Sequence, residues 1–138
     1  MATVRLVRDD EASDAVRAVF DDIRETRGAD YVNDFWRGLA TDPVLLASVW
    51  KDVKEIMTGP GALDPLVREM IYIAVSTANS CSYCVHSHTA SARAQGMTDA
   101  QHAELLSVIG LAARTNHLVN ALQIPVDDVF DAGSGAQG

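Results

Sequence analysis

The segment from Pro65 to Ala78, PLVREMIYIAVSTA, is apolar on nearly every side of a helix. Such a helix has to be covered on nearly every side, which marks it as central to a core. Only its first turns carry exceptions, Arg68 and Glu69. Asp64-Pro65 supplies its start: a capping side chain, then the residue whose fixed φ suits the first helical position. The same signal stands at Asp42-Pro43, ahead of a stripe of Leu46, Val49, Val53 and Ile56 that TGPG at 58–61 should terminate.

Helical spacing continues on both sides. Val16, Val19, Phe20 and Ile23 fall on one face, with Ser13 as N-cap and Gly28 as the stop. A short second helix should hold Phe35, Trp36 and Leu39. After Asn79-Ser80 another helix should begin, capped by Asn79 or Ser80, and run to Gly96. Thr98 to Gln101 reads as a capping box for a long last helix. That helix carries Leu105, Leu106, Ile109, Leu118 and Leu122, with Gly110 as a weak point and Pro125 as the end. No segment shows the period-2 alternation of a strand, and no repeat or linker is evident. The 138 residues, 48% of them apolar, suit one packed domain. The expectation is an all-α, single-domain helical bundle of about six helices over residues 1–131, followed by a flexible tail at 132–138.

Charge narrows the function. Eleven Lys and Arg stand against 19 Asp and Glu, a net charge of −8, and no basic run occurs. A nucleic-acid surface needs a basic face to displace counterions, so no nucleic-acid partner is expected. The N-terminus turns acidic within ten residues and lacks an apolar core region, unlike a signal peptide. The longest strongly apolar run, Met70 to Val75, falls far short of the ~20 residues that span a bilayer. A cytoplasmic protein without a membrane partner is therefore expected. In a reducing cytosol, a lone cysteine pair points to catalysis, redox sensing or metal binding before a permanent staple.

Both cysteines and two of the four histidines lie in NSCSYCVHSH, residues 79–88. On a helix starting at Cys81, Cys84 follows one turn later on the same face, and His88 lies beside Cys84. The helix N-terminus favours a thiolate in its first turn, and a second thiol within reach can resolve an oxidised intermediate. His88 can hold or pass the proton. Three plainer readings stand beside this one. A structural zinc site normally takes four ligands where CxxCxxxH offers three. Buried, unreactive cysteines are common in cores. A structural disulfide over so small a loop would remove little unfolded-state entropy. Glu69 also has two readings: a charge at an exposed helix start, or a buried carboxylate with a raised pKa, aimed at the thiols as proton acceptor.

Glu69, eleven intervening residues, Cys81-Ser82-Tyr83-Cys84, three more and His88 together resemble the E-x11-C-x2-C-x3-H signature of the alkylhydroperoxidase D-like group, within the carboxymuconolactone decarboxylase superfamily. The resemblance centres on residues 64–97. It implies an all-helical, homo-oligomeric protein, a trimer or hexamer, with thiol peroxidase or disulfide oxidoreductase activity and no metal or other cofactor beyond the redox-active pair. By position, it makes Cys84 the peroxidatic cysteine and Cys81 its proton donor and resolving partner. Glu69 and His88 become the proton relay. An external dithiol, such as a lipoyl-bearing protein, would be the reductant and a small hydroperoxide the substrate. Helix-terminus electrostatics alone would favour Cys81 as the more acidic thiol, and proximity to His88 favours Cys84.

Tyr83 departs from the histidine that the best-known members carry between the cysteines. A phenol, with a pKa of about 10, is no base near neutral pH, but it can donate a hydrogen bond or wall the pocket. His86 lies on another helix face and suits a surface or interface. His117 is placed as a polar partner or subunit contact. Trp36 and Trp50 are expected in the core or an interface. The last helix carries enough Leu and Ile for two faces, so subunit contacts through it are expected. Two other function classes remain: a decarboxylase or isomerase acting on a muconolactone-like acid, against which the cysteine pair argues, and a non-catalytic redox-sensing module.

Overall fold

A computed structural model of the chain describes residues 1–130; the tail expected at 132–138 lies outside the described residues. Six α-helices carry the fold: α1 (Asp14–Arg27), α2 (Asp34–Leu39), α3 (Pro43–Val53), α4 (Pro65–Ala78), α5 (Ser82–Ala94) and α6 (Asp99–Leu122). No strand occurs among the described residues. None of their helices is long and apolar enough to cross a membrane. The chain forms two compact units, Met1–Pro65 and Leu66–Gly138.

In the first unit, the local signals operate as chemistry predicts. Ser13 Oγ accepts the Val16 N–H at the start of α1, and Gly28 closes that helix with a left-handed φ of 63°. Asp42 accepts the N–H groups of Val44 and Leu45 ahead of Pro43. Phe20, Ile23, Val32 and Leu46 are wholly enclosed, with Trp36 and Trp50 beside them in an edge-to-face pair at 5.3 Å. Trp50 Nε1 donates to Asp22 at 2.7 Å, and Lys54 reaches the same carboxylate at 2.9 Å. Lys54 first, then Trp50, holds the Asp22 carboxyl below its ordinary pKa.

The stripe of α3 does not extend to Ile56, which is 68% exposed. After Val53 the chain winds as a π-turn over Lys54–Thr58, and its wider turn moves Ile56 off the face that Leu46 and Val49 share. Gly59 closes this turn, where a Cβ would collide with the Glu55 carbonyl.

In the second unit, Ile73, Ala92 and Met97 form the core, with Leu66, Met70, Leu105 and Ile109 packed around them. The placement of α4 at the centre of a core needs correction. Its buried residues, Glu69, Ile73 and Ser76, lie on one face, while Val67, Ile71 and Val75 are exposed. All-round apolarity thus marks more than one face to be covered, and the chain itself covers one. Helix α6 opens with the expected capping box between Thr98 and Gln101 and runs unbroken through Gly110. It buries no residue fully; Leu105 and Ile109 face the core, and Leu106, Leu118 and Leu122 are exposed. Gln123 ends it in the left-handed region, two residues before Pro125.

Candidate active site

The end of α4 and the start of α5 share one residue. Ser80 takes a left-handed φ of 57°, its N–H bonds the Thr77 carbonyl, and the Cys81 N–H bonds the Ser76 carbonyl. These are the two bonds of a Schellman motif, with Ser80 in the position that glycine usually holds. Cys81 completes the motif and at once serves as N-cap of α5, its Sγ accepting the Cys84 N–H at 3.3 Å. The expected caps, Asn79 and Ser80, do not fill that role, because both are used to turn the chain out of α4.

Cys84 therefore lies in the first turn of α5, at its third position. Cys81 and Cys84 are joined as a disulfide, with their Cα atoms 5.3 Å apart. Both sulfurs sit at the end of the helix where backbone N–H groups lack partners and the dipole favours negative charge. A thiolate on either would be stabilised there.

His88 lies one turn after Cys84 on α5, on the same face. Nδ1 of His88 meets Oε2 of Glu69 at 2.6 Å. Glu69 is 8% exposed, on the buried face of α4, so it is not a charge at an exposed helix start, and its carboxylate meets His88 of α5. With Nδ1–H donated to the carboxylate, Nε2 is left as an acceptor.

Sequence reasoning missed Tyr72. Its ring stacks on His88 with centroids 3.6 Å apart and planes 20° from parallel. The available signal was its spacing: three residues after Glu69, it shares that helix face.

The remaining candidates have other surroundings. Tyr83 is 48% exposed in the first turn of α5. His86 is exposed, with Nδ1 on the Ser82 carbonyl at 2.9 Å. His117 is exposed on α6, bound through Nδ1 to the Ala113 carbonyl. Trp36 and Trp50 belong to the core of the first unit. No group of three His, Cys, Asp or Glu side chains fit to hold a metal ion occurs among the described residues.

Residues 45–127 match the family model of the carboxymuconolactone decarboxylase family. The crystal structure of the alkylhydroperoxidase AhpD core from Rhodospirillum rubrum has the same fold, with a TM-score of 0.93 and 69% sequence identity. The similarity covers 94% of this chain and 97% of that one. No curated protein sequence matches.

Proposed function

The chain belongs to the carboxymuconolactone decarboxylase family as an alkylhydroperoxidase D-like member, and from that premise we propose that it is a thiol-dependent peroxidase. The observation that carries the reading is the cysteine pair at the start of α5, with the Glu69–His88 hydrogen bond one helical turn away.

In the reduced protein, His88 Nε2 takes the Cys84 proton, directly or through water, and the thiolate attacks the outer oxygen of a hydroperoxide. An S–O bond forms, the O–O bond breaks, and the leaving alkoxide takes a proton from the Cys81 thiol to depart as alcohol. Cys81 then attacks the Cys84 sulfenic acid: the S–S bond forms, the S–O bond breaks, and water leaves. The proton returned by His88 completes that water. Per cycle, one hydroperoxide becomes one alcohol and one water, and two thiols become one disulfide. An external dithiol, such as a lipoyl-bearing protein, restores the pair and is oxidised in turn; a reducing cytoplasm would supply it. Glu69 holds the imidazole and stabilises the imidazolium. Tyr83, half-exposed between the cysteines in sequence, is placed to flank an approaching hydroperoxide.

The working form is a homo-oligomer, a trimer or hexamer. The exposed leucines of α6 and the exposed valines of α4 support this, since apolar helix faces of such extent are normally covered by a partner surface.

Hydroperoxide consumption with dithiothreitol or dihydrolipoamide tests the proposal. Wild type should turn over, and Cys84→Ser should not. Stoichiometric oxidation without turnover under either dithiol would instead make the chain a redox-sensing module.

A further inference from the structure

Tyr72 has no part in the chemistry above, yet its ring lies 3.6 Å from that of His88. A hydrogen bond from Nδ1 to Glu69 fixes one edge of the His88 imidazole but leaves the tilt of its plane free. The phenol ring, lying 3.6 Å away and nearly parallel, removes that freedom. Glu69 and Tyr72 come from one face of α4, one turn apart, and together they fix both the direction and the plane of a ring carried by α5. With Nδ1 committed to Glu69, Nε2 is the nitrogen that serves the proton exchange with Cys84 in the proposed cycle. An aromatic face also attracts positive charge, so the stack favours the imidazolium formed when His88 takes a proton.

We propose that Tyr72 is a positioning residue for His88, acting through its ring face and not through its hydroxyl. The inference rests on the reading that His88 exchanges a proton with the Cys84 thiol. Tyr72 is 37% exposed, so replacing it opens no buried cavity.

The test follows the thiol directly and needs no substrate. In the reduced protein, the rate of Cys84 alkylation by iodoacetamide is measured against pH for wild type, Tyr72→Phe, Tyr72→Leu and His88→Gln. Hydroperoxide consumption is measured on the same samples. Tyr72→Phe keeps a stacking ring and should reproduce the wild-type profile. Tyr72→Leu should move the midpoint up by about half a pH unit, the equivalent of a lost ring–cation contact. It should also slow hydroperoxide consumption about ten-fold through kcat, as expected for a displaced catalytic group. Proton NMR of His88 supplies a separate readout: its ring protons should shift downfield when Tyr72→Leu removes the overlying ring, and stay put in Tyr72→Phe.

A Tyr72→Leu profile superimposed on wild type overturns the proposal, whatever the peroxidase result. So does a Tyr72→Phe profile that matches Tyr72→Leu, since the hydroxyl would then carry the effect. Where wild type consumes no hydroperoxide but the profile shifts with Tyr72→Leu and not Tyr72→Phe, the positioning role stands and the peroxidase reading falls. Should Tyr72→Leu fail to fold, Tyr72→Met removes the ring with a side chain that adapts to its surroundings, and the same outcomes apply.

Discussion

Oε2 of Glu69 and Nδ1 of His88 are 2.6 Å apart, bridging α4 and α5 from positions nineteen residues distant in sequence. The pair engages one imidazole nitrogen and leaves the other as an acceptor, which the proposed proton transfer from a cysteine requires. Glu69→Gln keeps the size and an oxygen acceptor but removes the charge that stabilises an imidazolium. Each of Glu69→Gln and His88→Gln should lower hydroperoxide consumption by about a hundred-fold, within the usual range for a proton-transfer group. Because the two act as one unit, the double variant should be no slower than the worse single variant. Steady-state rates for the four proteins check this, and additive losses would argue that the residues act separately.

The cap bond from the Cys84 N–H to Cys81 Sγ makes the two cysteines unequal. Cys81 can be replaced by serine with an acceptor kept at the helix start, so Cys81→Ser should fold and still be oxidised at Cys84. After one equivalent of hydroperoxide, a dimedone-type probe should label Cys81→Ser stably and leave Cys84→Ser unlabelled. Mass spectrometry of the labelled peptide reads the result. Label on Cys84→Ser and none on Cys81→Ser would exchange the two roles.

Much of this architecture is local and therefore legible in sequence. Ser13, Asp42 and Thr98 cap their helices because each cap needs only a side-chain oxygen and N–H groups two or three residues away. The sequence does not mark Cys81 as a cap because Asn79 and Ser80, stronger formers, precede it; the Schellman turn consumes them first. Ile56 left its stripe because the pattern rests on 3.6 residues per turn, and the π-turn changes that period. For α4, apolarity on all sides was visible, but which faces the same chain covers depends on partner surfaces that periodicity does not contain. Helical spacing brings Cys81, Cys84 and His88 to one face in the sequence, while their separate roles and that of Glu69 come from a motif resemblance. Tyr72 lay outside it, since its stack with His88 exists only once two helices meet.

Ser80 holds a left-handed φ of 57° with a side chain that is not glycine, immediately before Cys81. That conformation costs a non-glycine residue on the order of 1 kcal/mol. Ser80→Gly should relieve it, in part offset by the greater freedom of the unfolded chain, and raise Tm by a degree or two at most. Ser80→Val, β-branched, should lower stability by about 1–2 kcal/mol. Thermal melts of the three proteins check the order. A Ser80→Val protein as stable as wild type would mean the turn relaxes to another conformation.

Asp22 ties α1 to the end of α3 through Trp50 and Lys54. Asp22→Ala leaves the Trp50 N–H without its acceptor and should destabilise the protein by about 1–2 kcal/mol, the ion pair adding little because it is partly exposed. The sign of the pH dependence follows from the lowered carboxyl pKa, set first by Lys54 and then by Trp50. A depressed folded-state value means the stabilisation is fully present above the ordinary carboxylate range and fades as pH falls through the folded value. The difference in Tm between wild type and Asp22→Asn should thus be constant near neutral pH and shrink below about pH 4. A difference unchanged down to pH 2 would assign the effect to packing.

Leu111, Leu118 and Leu122 recur at i, i+7 and i+11 along α6 and are each at least half exposed, with Val108 one turn earlier. On a helix that buries nothing fully within its own chain, this stripe is the contact expected in the proposed oligomer. Wild type at micromolar concentration should sediment well above the mass of one chain, 14.8 kDa. Leu118→Glu, which sets a charge in the middle of the stripe, should dissociate the assembly and expose apolar surface to a hydrophobic dye. Its helical content should persist, because Leu118 lies outside the core of Ile73, Ala92 and Met97. A compact wild-type monomer would refute the assembly, and a Leu118→Glu oligomer of unchanged size would move the contact to the exposed valines of α4.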